Sequence, residues 1–155
     1  MRIRSRARCS YPRPMSLTAV ARSEHGALRA SVDVNGRHVI VTDEPTRLGG
    51  TDAGPAPHEL LPAALASCVG TMISLYAQTK GWALSGVEVA VEYDPDAVPR
   101  HCWIEVHLPE SLSADQVKRL ERVANTCPLR RALETGFEFD EQIVLDRPAA
   151  PRKAA

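Results

Sequence analysis

Apolar and polar residues alternate loosely over Leu17 to Arg22 and Ala27 to Val34, as in half-buried strands. Asn35-Gly36 follows, a strong hairpin signal because both turn positions take positive φ. Arg37 to Thr42 reads as the return strand. Pro45 to Pro57, broken by Gly49, Gly50 and Gly54, keeps neither period and predicts a loop. A helix is expected from about His58 to Lys80, stopped by Gly81. No charge falls between Glu59 and Lys80, and Ser67, Thr71, Ser74, Gln78 and Thr79 are its polar breaks. A surface helix would carry a polar face. This one is therefore expected to run through the centre of a fold or against a partner chain. Pro62 near its start predicts a bend or a ragged first turn.

Val87, Val89, Val91 and Tyr93 alternate with Glu88, Ala90 and Glu92, a half-exposed strand. Cys102 to Leu108 repeats the pattern with Ile104, Val106 and Leu108 on one face. Ser113 and Gln116 form a capping box, opening a helix with Val117, Leu120, Val123 and Ala124 on one side. Cys127-Pro128 interrupts it, and Leu129 to Glu134 reads as a short helix closed by Gly136. Phe137, Phe139 and the Ile143 to Leu145 run predict a final strand or strand pair. The order β-β-β-α-β-β-α-α-β predicts an α+β domain, antiparallel sheets wrapped around one central buried helix.

A length of 155 residues suits one domain. The 19 basic and 19 acidic residues balance, but unevenly along the chain. Arg2, Arg4, Arg6, Arg8 and Arg13 crowd residues 1–14, and what remains has a net charge of −5. Residues 1–14 are read as a disordered basic extension, or as sequence upstream of a true start at Met15, rather than as a nucleic-acid-binding arm. Residues 15–146 form the domain, and 147–155 a disordered Pro/Ala/Arg tail. No apolar run reaches the ~18 residues of a membrane span, and no apolar core follows the arginines as in a secretory signal. The expectation is a cytoplasmic protein binding neither membrane nor nucleic acid. Gly49-Gly50 and Gly54 do not form a phosphate loop. His101, Cys102 and His107 make a poor metal site, since Cys102 and His107 lie on opposite faces of a strand. Neither a metal nor another cofactor is expected.

Four cysteines show no close pairing in sequence. Cys9 falls in the extension, and Cys102 opens a strand beside His101 and Trp103, where a structural role is expected. Cys68, on the apolar helix, is either a small apolar filler or a reactive thiol. Cys127 is either a plain cap or a thiol placed near the free N–H groups of a helix that starts at Pro128, a setting that lowers a thiol pKa.

Two separated runs carry a resemblance. Gly49-Gly50, then Gly54-Pro55, Pro57, Glu59-Leu60-Leu61, Ala63-Ala64-Leu65, Cys68, Tyr76-Ala77 and Lys80-Gly81-Trp82 resemble the OsmC/Ohr family. Leu112-Ser113, Gln116, Leu120, Ala124 and Cys127-Pro128 extend the likeness, which covers roughly Leu17 to Leu145 and is closer to the OsmC-like branch. The resemblance implies an OsmC-like fold assembled as an intertwined homodimer with sites at the interface. It implies a thiol-dependent peroxidase in which Cys68 attacks an organic hydroperoxide, becomes a sulfenic acid and condenses with Cys127. An external dithiol reductant resets the disulfide. Supporting residues transfer less directly. The hydroperoxide-resistance branch has a glutamate one place before Glu59, where this chain has His58, so Glu59 stands either behind the thiol or as a helix cap. Among the arginines of the N-terminal strands, Arg29 lies nearest the family's position, with Arg22, Arg37 and Arg47 as alternatives; Arg130 and Arg131 read as a solvated helix face. The alternative function is a non-catalytic protein binding a small apolar ligand at the dimer interface.

Overall fold

The computed structural model describes residues 17–144. The extension 1–14, the tail 147–155 and Leu145 lie outside the described residues. The rest is an α+β chain whose elements fall into two compact units, one from residues 17–66 with 90–104, the other from 67–89 with 105–144.

The first unit holds a three-stranded antiparallel sheet of β1 (Ala19–Ser23), β2 (Ala30–Val34) and β3 (His38–Thr42), in that order. Asn35 and Gly36 turn β2 into β3 with φ of 54° and 66°, as the sequence predicts. The turn is secured when the Gly36 N–H donates to the Asp33 carboxylate at 2.8 Å. Register aligns Ala21, Val32 and Ile40 on one face and Val20, Asp33 and Val39 on the other. Val20, Val39 and Val41 remain exposed.

After β3 the chain enters the Gly/Pro loop, which Asp43 organises from a buried position. One carboxylate oxygen accepts from the Glu44 N–H, the other from the Thr51 N–H, the Thr51 hydroxyl and the Ala53 N–H, at 2.6 to 3.2 Å. These donors hold the Asp43 pKa down to about 2 from 3.8, the Thr51 hydroxyl contributing most. Gly50 and Gly54 are required by close approach. A Cβ at Gly50 would overlap the Glu44 carbonyl, and one at Gly54 the Val41 carbonyl.

The loop leads through a 3₁₀ turn, Pro57–Glu59, into α1 (Leu60–Thr79). This is the ragged start that Pro62 predicts. As the third helical residue, Pro62 lacks an N–H that would have no intrahelical acceptor anyway. At the far end Gly81 adopts φ 68°, and the Trp82 N–H returns to the Ala77 carbonyl at 2.9 Å, closing the helix. Leu65, Val69, Ile73 and Ala77, four residues apart, form its buried stripe.

The apolar character of α1 has two further consequences. Burial all round is not found in the single chain: Ala63, Ala64 and Ser67 are exposed, and Leu75 is 56% exposed. Pro57–Thr79, 23 residues long and containing an 18-residue window of mean hydropathy 1.7, is also long and apolar enough to cross a membrane by length and composition. That corrects the expectation that no stretch reaches this length, because isolated Ser and Thr interrupt a run without lowering its mean much. The same properties suit a core helix, and the continuous buried stripe is of that kind.

Strands β4 (Glu88–Tyr93) and β5 (Cys102–His107) pair in a second sheet. In the second unit α2 (Ala114–Asn125) begins at the capping box, with the Gln116 N–H donating to Ser113 Oγ and the Ser113 N–H to Gln116 Oε1. It buries Leu120 completely. Helix α3 (Pro128–Thr135) follows with Cys127 as its N-cap residue and ends at Gly136. The final strand expected over Phe137, Phe139, Ile143 and Leu145 is not formed among the described residues, which run on to 144 without strand pairing. A strand needs a neighbour to satisfy its backbone. Here Phe137, Phe139, Ile143 and Val144 all stand exposed.

Candidate active site

Cys68 lies one turn and a half into α1 from Pro62, beside the buried Val69. Cys127 occupies the turn between α2 and α3 and is completely buried. Both belong to the second unit, and their sulfurs lie 2.9 Å apart as free thiols. The structure thus brings together the two cysteines singled out in the sequence. Cys102, also free, lies on β5 and is half-buried.

The electrostatics of the pair differ from the expectation. The Cys127 side chain makes no capping hydrogen bond. Instead the backbone N–H of Leu129, in the first turn of α3, acts on the Cys68 sulfur and favours its thiolate. Burial and the adjoining Cys127 thiol outweigh this donor and push the Cys68 thiol above its ordinary value of 9.0. The helix N-terminus foreseen for Cys127 therefore serves its partner.

One side chain the sequence reading set aside as solvated holds this turn together. Arg130 Nε donates to Glu134 Oε1 at 2.8 Å, and Nη1 donates to Asn125 Oδ1 at 2.6 Å. Asn125 ends α2 and Arg130 belongs to α3, so the guanidinium spans the segment that carries Cys127. An asparagine two places before a Cys-Pro step and an arginine three places after it were the available signal. Asp43 was missed too, although an acid at a strand end before a Gly-rich loop could have marked it.

The remaining candidates take other partners. Glu59 Oε2 accepts from the Ala56 N–H at 2.9 Å, so Glu59 caps the 3₁₀ turn, one of the two roles open to it. His58 is exposed. Arg29 makes a two-pronged contact with Glu24, at 2.9 and 2.7 Å, which raises its pKa. Among the described residues no three His, Cys, Asp or Glu side chains cluster as a metal site.

Solved structures of other proteins share the fold. A Psychrobacter arcticus 273-4 protein named for an osmotic stress induced and detoxification response is 27% identical, with a TM-score of 0.64 over 78% of this chain and 90% of that one. An organic hydroperoxide resistance protein, OsmC, from Legionella pneumophila shares the fold at 22% identity, with a TM-score of 0.53 over 77% and 89%. So does an organic hydroperoxide resistance protein from Elizabethkingia anophelis with thiocyanate bound, at 19% identity and a TM-score of 0.53 over 76% and 87%. No curated protein matches the chain. The sequence pattern of the family described as OsmC-like protein matches residues 50–142, more than half of the chain and including both Cys68 and Cys127, and the chain belongs to that family.

Proposed function

We propose that the protein is a cysteine peroxidase that reduces organic hydroperoxides. The observation that supports this reading is the 2.9 Å approach of two free thiols. The Cys68 thiolate attacks the outer peroxide oxygen, the O–O bond breaks, and the alkoxide takes a proton to leave as an alcohol. Cys68 is then a sulfenic acid, oxidised by two electrons. The Cys127 sulfur displaces its hydroxyl, forming the disulfide and releasing water. A dithiol reductant attacks the disulfide, restores both thiols and leaves as its own disulfide.

An intertwined homodimer completes the proposal. Leu75 on α1, Val39 on the first sheet and Phe137, Phe139 and Ile143 after α3 are apolar and exposed in the single chain. A second copy covering them would give the apolar side of α1 its burial and the 137–144 segment a strand neighbour. In this reading the cationic support that Cys68 lacks among the described residues around it comes from the N-terminal sheet region, with Arg29, just before β2, the candidate. Glu59 and His58 enter only as residues at the start of α1. The thiol chemistry suits a reducing, cytoplasmic setting.

Steady-state turnover tests the reading. With excess dithiothreitol, cumene hydroperoxide should be consumed faster than hydrogen peroxide, and Cys68→Ser should abolish the difference. The raised Cys68 pKa favours one second reading, a non-catalytic protein that holds an apolar ligand at the dimer interface. Cys68 inert to peroxide together with a co-purifying lipid in native mass spectrometry would select it.

A further inference from the structure

A second concave site lies in the same unit as the cysteines, and neither Cys68 nor Cys127 lines it. Tyr76 of α1 forms one wall, and Arg119, Arg122 and Val123 of α2 with its C-cap residue Thr126 form the other, around a cavity of about 400 Å³. Ligand clefts commonly span about 300–1,000 Å³, so the volume suits a small organic molecule.

Its lining is cationic. Arg119 and Arg122, three residues apart, share one side of α2. Among the described residues neither forms an ion pair. Arg122 Nε donates to the Lys118 carbonyl at 3.3 Å, which anchors the guanidinium base and leaves its terminal nitrogens for another acceptor. Outside the lining, Lys80 Nζ stands 5.6 Å from the centre of the Tyr76 ring. The Tyr76 and Trp82 rings pack edge to face, their centres 5.7 Å apart and their planes at 77°. No acid lines the cavity.

Planar guanidinium groups bind carboxylate or phosphate oxygens two at a time. An aromatic wall and Val123 accept the apolar body behind such a group. We propose that this groove binds a small organic oxyanion, an aromatic or short aliphatic carboxylate or phosphate, with its charged end on Arg119 and Arg122 and its body against Tyr76 and Val123.

Benzoate and phenyl phosphate, each titrated into the full-length reduced protein and followed by calorimetry, test the proposal and separate the two head groups. Saturable binding with a Kd on the order of 0.1–1 mM is expected for at least one probe. Arg119→Gln with Arg122→Gln should weaken it by about tenfold or more, the scale of a lost charge-assisted contact. Tyr76→Leu should weaken it less, and added salt should weaken it progressively. Cys68→Ser should bind as the unaltered chain does, since Cys68 does not line the groove. Circular dichroism of the double arginine variant checks that its fold is kept. The proposal is overturned if neither probe saturates, if the double variant binds unchanged, or if binding follows Cys68 rather than the arginines.

Discussion

The sulfurs of Cys68 and Cys127 lie 2.9 Å apart although 59 residues separate them in the chain. Both belong to the second unit, where the N-cap residue of α3 meets the side of α1 that carries Cys68. A disulfide bond is about 2.05 Å long, so closing the pair calls for a small sulfur displacement rather than a rearrangement of helices.

If Cys127 resolves the oxidised Cys68, removing it must leave the first step intact and block the second. Cys127→Ser treated with one equivalent of cumene hydroperoxide should accumulate a Cys68 sulfenic acid that dimedone traps. The unaltered chain should give little adduct. Equal trapping in both proteins would remove Cys127 from the pathway.

The pH response follows from the surroundings of Cys68. Its thiol is held above 9.0 mainly by burial. A thiol with a raised pKa stays protonated to higher pH, so alkylation of Cys68 by iodoacetamide should keep accelerating beyond pH 9. The stability linked to this neutral thiol is present below the ordinary thiol pKa and is lost as pH rises through the folded-state value. A rate that levels off below pH 8 in a chain forced to be monomeric would contradict this. In a dimer of the kind proposed, the same plateau would point to cationic support from across the interface.

Arg130 should act on geometry more than on stability. Arg130→Ala breaks contacts to Asn125 and Glu134 at a partly exposed site, so global unfolding should change by less than about 1 kcal/mol. Disulfide closure after oxidation should slow severalfold while dimedone trapping of Cys68 rises. Asn125→Ala should reproduce part of this effect, and combining the two should add little. Unchanged closure in both would return Arg130 to a solvated helix face.

The loop before α1 makes a separate prediction. Asp43 is held at about 2, below 3.8. The stability contributed by its depressed pKa is present above about pH 4 and is lost as pH falls from 3.8 toward 2. Asp43→Asn should lower Tm at pH 7 and flatten the acid side of the stability profile. Gly50→Ala, which sets a methyl against the Glu44 carbonyl, should cost about 1–3 kcal/mol in urea unfolding.

Local signals in the sequence were strong where a single residue decides the backbone. Asn35-Gly36 marked its turn, Ser113 with Gln116 its helix start, Gly81 its helix end and Pro128 the first position of α3, because each acts within four residues. The final strand failed for the opposite reason. Phe137, Phe139 and Ile143 have strand character, but a strand exists only with a partner, and no periodicity shows which chain supplies one. The all-round burial of α1 was overstated on the same ground, since one chain covers only the Leu65, Val69, Ile73 and Ala77 stripe. At the site, Cys68 and Cys127 were legible through their motifs, whereas the direction of the α3 N–H groups was not. Which sulfur the Leu129 amide meets depends on how two helices pack, and sequence spacing does not encode it.

The central claim is tested most directly by locating the thiols consumed when the fully reduced protein meets cumene hydroperoxide. Peptide mass spectrometry after alkylation should show Cys68 and Cys127 lost together as one intramolecular disulfide, with Cys9 and Cys102 still alkylated, and no loss in Cys68→Ser. A thiol count that stays at its reduced value, with Cys68 fully alkylated after peroxide, would contradict the peroxidase reading.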